Sequence, residues 1–159
     1  MTAKAKPYDW TQFTVKIEIA APPSRVFHAW TDETVIVKWF VEKAKIEPRK
    51  GGRFYLEWLG GVHGDERILD IRDQRYLRFP FGGKQVQVEV KIKKDKKGSI
   101  CEVRQFQMET TPKAKVEWHM GCKNGWVFFL ANLKAYLEHG VDLRTHNPRR
   151  SYKQDFVNS

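Results

Sequence analysis

"GCKNGWVFFLANLKAYLEHG", residues 121–140, is the stretch that decides how this chain folds. Let each residue turn 100° around a helix axis, with Cys122 at zero. Trp126, Phe129, Leu130, Leu133 and Leu137 then fall within an arc of about 100°, the apolar stripe of a helix lying on a core. Gly140 is a suitable C-terminal cap. Extended backward, the pattern predicts a helix that starts near Lys113, just after Pro112, with His119 inside the same arc and Trp118 at its edge. Gly121 and Gly125 interrupt this pattern. A glycine in a helix interior costs about 1 kcal/mol relative to alanine. Gly121 falls away from the stripe and Gly125 lies at its margin. The pair predicts a bend, or the close approach of a strand or loop, rather than two tolerated surface glycines.

Working toward the N-terminus, the period changes from helical to two. Between Lys43 and about Met108 the candidate strands are 43–47, 52–59, 64–72, 75–81, 85–94 and 99–108, punctuated by "RKGG", "LGGVHG", "IRDQR" and "PFGGK". The clearest is "QVQVEVKIK", in which Val86, Val88, Val90 and Ile92 share one face. A spacing of about ten residues with short turns predicts an antiparallel meander. Further back, "FTVKIEIA" (13–20) alternates Phe13, Val15, Ile17 and Ile19 as a half-buried strand does. Pro22 and Pro23 end that strand and open a short helix with an apolar face of Val26, Phe27 and Trp30. Thr31 or Asp32 caps a second short helix. The predicted class is α+β: a curved antiparallel sheet of about seven strands around a long C-terminal helix, with two short helices after the first strand. Residues 1–12 read as a loose N-terminal arm, 13–144 as the domain and 145–159 as a basic C-terminal tail. Within the tail, Phe156 and Val157 are the residues that could dock on the domain or on a second subunit.

The composition narrows the function classes. With 41% hydrophobic and 13% aromatic residues in 159, the chain can bury a real core. No run approaches the roughly 18 apolar residues of a membrane span, and "MTAKAKPYDW" lacks the apolar run of a secretory signal. Cys101 and Cys122 stand in no metal-finger spacing, so a reduced, cytoplasmic protein is expected. The net charge of +10 permits an acidic protein partner. The dense run "KIKKDKKG" (91–98) reads as a solvated hairpin tip that protects a sheet edge. No nucleic-acid motif accompanies the charge, so no specific nucleic-acid partner is expected.

"IAAPPSRVFHAWTD", "VKWF", "RKGGRFYLEW" and "GWVFFLANLKAYLEHGVDLR" together resemble the heat-shock-protein-90 ATPase-activator-homologue family. That family lies within the START-like (SRPBCC), pollen-allergen-like helix-grip superfamily. The resemblance runs from about residue 13 to 144 and is most specific at its two ends. Trp39–Phe40 stands where family members often carry a Trp-Trp pair. The resemblance implies a cavity between sheet and helix. It implies little about chemistry, because superfamily relatives bind lipids, hormones or polyketides, a few are cyclases, and the eponymous eukaryotic domain helps a chaperone.

Several residue groups invite a chemical reading. His119 and Cys122, three apart on one helical face, have the spacing of two metal ligands or of a Cys–His nucleophile pair. Only His63 offers a further attractive donor, so a buried thiol and a histidine bonded at the cavity wall is the simpler reading. His63, Asp65 and Glu66 could give acid–base chemistry, but a solvated turn explains them as well. "GGRF" and "LGGVHGDE" lack the strand–loop–helix setting of a phosphate loop. No catalytic residue, metal site or cofactor is therefore assigned. An apolar or aromatic small molecule is the expected partner, and Trp39, Trp58, His119, Cys122 and Trp126 are the expected cavity-lining residues. The alternatives are an adaptor or co-chaperone-like protein that binds an acidic protein surface, and an enzyme of cyclase or hydrolase type using the same cavity. Monomer and homodimer are both open.

Overall fold

The computed structural model describes residues 5–83, 85–151, 153 and 155–159. Strand β1 (Phe13–Ile19) leads into α1 (Pro23–Thr31) and α2 (Glu33–Ile36). Seven strands then follow where six were expected, because the expected 64–72 strand is divided in two. The strands are β2 (Lys43–Ile46), β3 (Arg53–Glu57), β4 (His63–Arg67), β5 (Asp70–Arg72), β6 (Tyr76–Pro80), β7 (Gln87–Asp95) and β8 (Gly98–Phe106). The C-terminal helical rod comprises α3 (Pro112–Ala114), a π-helical segment (Lys115–Met120) and α4 (Gly121–His139).

All pairings are antiparallel, and they form a five-stranded sheet β1-β8-β7-β6-β5 and a three-stranded sheet β2-β3-β4. The division falls at Ile68–Leu69. Ile68 donates to the Gly52 carbonyl (2.9 Å) and accepts from Gly51 (2.8 Å), whereas Leu69 donates to the Arg78 carbonyl (2.8 Å). The chain thus leaves β3 and joins β6 within one residue. Gly52 is required beside this step, since a Cβ there would meet the Glu47 carbonyl oxygen at 2.1 Å. A gap consequently opens between β3–β4 and β6, and it shapes the site described below.

The ends of the elements follow their sequence signals. Pro23 occupies the first turn of α1, and the Asp32 carboxylate accepts from the Thr34 amide at 2.7 Å at the start of α2. Gly140 closes α4 in the left-handed conformation. The lysine run forms the β7–β8 hairpin tip. Trp126, Leu130, Leu133 and Leu137 are buried, as the stripe predicts. Behind them an aromatic stack runs from Trp30 to Trp39 (4.8 Å between ring centroids) and on to Phe40 (5.1 Å).

The two ends of the chain add structure that the sequence reading left loose. Residues 1–4 lie outside the described residues. Within the rest of the expected arm, Thr11 accepts from Met108 at 3.0 Å, and Tyr8 and Trp10 pack against His119. In the tail, residues 152 and 154 lie outside the described residues. The Ser151 hydroxyl donates to the Leu59 carbonyl (2.8 Å), and Thr145 donates to the Asn158 carbonyl (2.8 Å). Of the two residues that could dock, Val157 is exposed and Phe156 lies under the Arg150 guanidinium.

Candidate functional site

A cavity of about 300 Å³ lies between the N-terminal half of α4, the β3–β4 turn and the chain beyond α4. Phe40, Trp58, Phe81, Trp126 and Phe129 supply its apolar wall. Phe40 sits at the centre, with ring centroids 5.3 Å from Trp126, 4.8 Å from Phe129 and 5.4 Å from Trp58. Such a wall, with a few polar groups at its edge, suits an apolar ligand. The edge carries Glu42 and Glu117 from the domain and Arg144, Ser151 and Asn158 from the chain beyond α4.

Gly121 and Gly125 also form part of this wall. A Cβ added at either would meet nothing within 4 Å. Close approach of another segment, one of the two expected reasons for these glycines, is therefore not what they serve. They leave space. The π-helical segment Lys115–Met120 stops immediately before Gly121. His119 packs edge-on against Phe13 at 5.2 Å between ring centroids, while Cys122 lies beside Gln105 at the cavity.

The five expected lining residues accordingly separate. Trp58, Cys122 and Trp126 reach the cavity. Trp39 does not: its ring lies behind Phe40, with no exposed surface, and its Nε1 donates to the Ala29 carbonyl at 2.9 Å. His119 does not either. It is 1% exposed and lies under the N-terminal arm, with Nδ1 3.0 Å from the Trp10 carbonyl and Nε2 2.7 Å from the Tyr8 hydroxyl. With both ring nitrogens engaged there, His119 and Cys122 form neither a nucleophile pair nor two ligands of one metal. Among the described residues no group of three potential ligands gathers. Burial pushes the Cys122 thiol above its ordinary range, so it stays protonated at neutral pH. The Gln105 side chain lies close to that sulfur, and its carbonyl accepts from Trp126 Nε1 at 2.8 Å, which fixes the indole at the cavity wall.

Strand alternation sets Glu66 on the opposite face of β4 from His63 and Asp65. Asp65 is held by Arg53 in a two-bond ion pair (2.8 and 2.7 Å), and this bonding depresses its carboxyl pKa. His63 Nδ1 lies 3.1 Å from the Gly61 carbonyl.

The family model described as activator of Hsp90 ATPase homolog 1-like protein matches residues 20–138. The chain belongs to that family. No curated protein matches it. Among solved structures, a Staphylococcus saprophyticus protein aligns with a TM-score of 0.74 at 22% identity, over 84% of this chain and 96% of that one. The Aha1 dimer from Colwellia psychrerythraea aligns at 0.71 and 17% identity, over 81% of this chain and 97% of that one. DynU16, from the dynemicin biosynthetic locus, aligns at 0.70 and 21% identity, over 82% of this chain and 48% of that one. These likenesses establish the helix-grip fold.

The family match leaves out residues 5–19 and 139–159. Tyr8 and Trp10, which hold His119, and Ser151 and Asn158, which edge the cavity, thus come from outside the matched span. Sequence reasoning did not single out Phe40, Phe81 or Phe129 as cavity residues. The signal available for Phe129 was its place on the helical stripe one turn from Gly125. Phe40 and Phe81 belonged to an aromatic population too large to sort without the sheet's curvature.

Proposed function

We propose that this chain binds an apolar or aromatic small molecule in the cavity between the N-terminal half of α4 and the sheet. One observation carries the reading. Two glycines lie inside the helix, where alanine would stabilise it, and the space above both is cavity. A cavity with an aromatic wall loses contacts that a filled core would have, and a ligand restores them. Its volume of about 300 Å³ is at the lower end of the range for ligand sites. The source of DynU16 in a biosynthetic locus agrees with a small-molecule role for this fold but names no ligand for this chain. Native mass spectrometry of freshly purified protein tests the reading without a guess at the ligand. A mass increment lost on denaturation is expected. Protein that carries no increment and takes up no apolar fluorescent probe contradicts it.

A second reading draws on the net charge of +10. It treats the chain as an adaptor that docks an acidic protein surface. The eponymous activity of the family belongs to this type. Binding that disappears as salt rises, with the cavity blocked or open alike, is the result that favours it.

A further inference from the structure

A second chamber, of about 250 Å³, lies in the gap where the sheet divides. β3 and β4 bound it on one side and β6 on the other. It shares Trp58, Val62, Phe81 and Trp118 with the first chamber, so these four side chains are the partition between the two. Trp58 and Phe81 meet edge to face at 5.8 Å. Val62 and Trp118 are 54% and 48% exposed, and that side of the partition is the one free to yield.

The wall of the second chamber has an unusual end. Directly paired residues of antiparallel strands point to the same face. Phe54 and Leu56 of β3 face the core, and their partners on β4 are Glu66 and Gly64. The inner face of β4 therefore offers a carboxylate and a missing side chain where an apolar pair would complete the core. A Cβ at Gly64 would meet nothing within 4 Å. The neighbouring Asp65 points outward to Arg53, whereas Glu66 takes part in no ion pair among the described residues. Glu66 is exposed at the open end of this apolar chamber, so it attracts a cation there only as a surface carboxylate does, modestly and in a way that salt weakens. The net positive charge of the chain opposes this only weakly, since physiological salt screens charges beyond about 8 Å.

We infer that the two chambers form one site for an elongated aromatic amine, with its aromatic body in the first chamber, its chain passing beside Val62 and Trp118, and its ammonium at Glu66. This rests on the small-molecule reading above and names the ligand class.

Calorimetric titration with a homologous series tests it. The series consists of indoles bearing an alkyl chain of two to six methylenes at carbon 3, each ending in an amine, an alcohol or a carboxylate, with indole itself as the parent. At the chain length that spans the partition, the amine should bind about fivefold more tightly than the alcohol, as a partly exposed ion pair provides, and the carboxylate more weakly than either. Glu66→Gln should abolish the preference and leave the affinity of the alcohol unchanged. Gly64→Val should remove the dependence on chain length by filling the second chamber. Equal affinity of amine and alcohol at every length, or a preference that survives Glu66→Gln, overturns the inference while binding of indole keeps the cavity reading intact. If indole and the whole series fail to bind, both fall together.

Discussion

The Tyr8 hydroxyl lies 2.7 Å from Nε2 of His119, tying a segment outside the family's matched span to the rod that walls the cavity. The Trp10 carbonyl, 3.0 Å from Nδ1, can only accept, so Nδ1 carries a proton and Nε2 takes the one from Tyr8. Trp10 and Phe13 stand edge-on to the imidazole at 5.0 and 5.2 Å. Lys115 and Lys123 lie over the rings of Trp10 and Tyr8 at 5.3 and 5.7 Å. Trp118, the residue before His119 in the π-helical segment, lies at the partition between the two chambers.

Tyr8→Phe should therefore destabilise the domain although it removes only one oxygen. It leaves a buried ring nitrogen without a partner, which costs about 1–3 kcal/mol. Urea denaturation measures this directly. Because both ring nitrogens are engaged within the protein, a zinc chelator should leave the melting temperature unchanged. Zinc in the purified protein, together with a clear fall in melting temperature on chelation, would show that His119 has another arrangement.

Gly121 and Gly125 give the sharpest contrast between stability and binding. Alanine at either position meets no neighbour, so each substitution should stabilise the protein by up to about 1 kcal/mol through helix propensity alone. Gly125→Phe should keep the fold and fill the space above the helix, and uptake of an apolar fluorescent probe should fall. A variant that folds well and takes up the probe as the parent does would separate this cavity from binding.

The two halves of α4 should respond differently to truncation. Leu133 is fully buried among packed side chains, and Leu133→Ala should cost about 2–5 kcal/mol. Cys122 borders the cavity, and Cys122→Ala should cost less than about 1 kcal/mol because open space already lies on one side of its sulfur. Equal losses in chemical denaturation would mean that the helix is packed along its whole length.

What could be read from the sequence were features with a period. The stripe from Trp126 to Leu137, the alternation in β1 and β7, and the Pro22–Pro23 junction each repeat a local rule over several residues, and each appears in the structure. Features set by a single residue's choice of partner were hidden. Nothing in "ERILDIR" shows that Ile68 pairs with Gly52 while Leu69 pairs with Arg78. The π-helical turn was equally silent, because an extra residue in one turn leaves composition untouched but rotates everything before it. His119 shows the same limit, since its partners Tyr8 and Trp10 lie 111 and 109 residues away along the chain. Trp39 was misplaced for another reason: an aromatic next to the cavity and one behind its wall have the same sequence signal.

Asp142 makes the stability of the C-terminal junction depend on pH. Burial alone would raise its carboxyl pKa. The Arg144 guanidinium (2.8 Å to Nη2), the Asn132 amide (3.0 Å) and the Arg144 backbone N–H (3.1 Å) outweigh that and hold it below its ordinary 3.8. Arg144 in turn donates to the Val41 and Val37 carbonyls, both at 2.9 Å, and Asn132 donates to the Trp39 carbonyl at 2.7 Å. This cluster thus pins the end of α4 to the segment that carries Phe40 into the cavity. A carboxyl whose folded pKa is depressed binds fewer protons when folded than when unfolded. Its contribution is complete above 3.8 and is lost as the pH falls through the lowered folded value. Asp142→Asn should cost about 1–3 kcal/mol at neutral pH. The gap between parent and variant in urea should then narrow as the pH is taken from 7 to 3. Other depressed carboxyls, such as Asp65 and Glu57, weaken both proteins alike in acid, so the difference isolates Asp142. Arg144→Lys should also destabilise, because an ammonium cannot hold the carboxylate and two carbonyls in one plane. A gap that stays constant across the titration would place the junction's strength in Asn132 and the backbone rather than in the carboxylate.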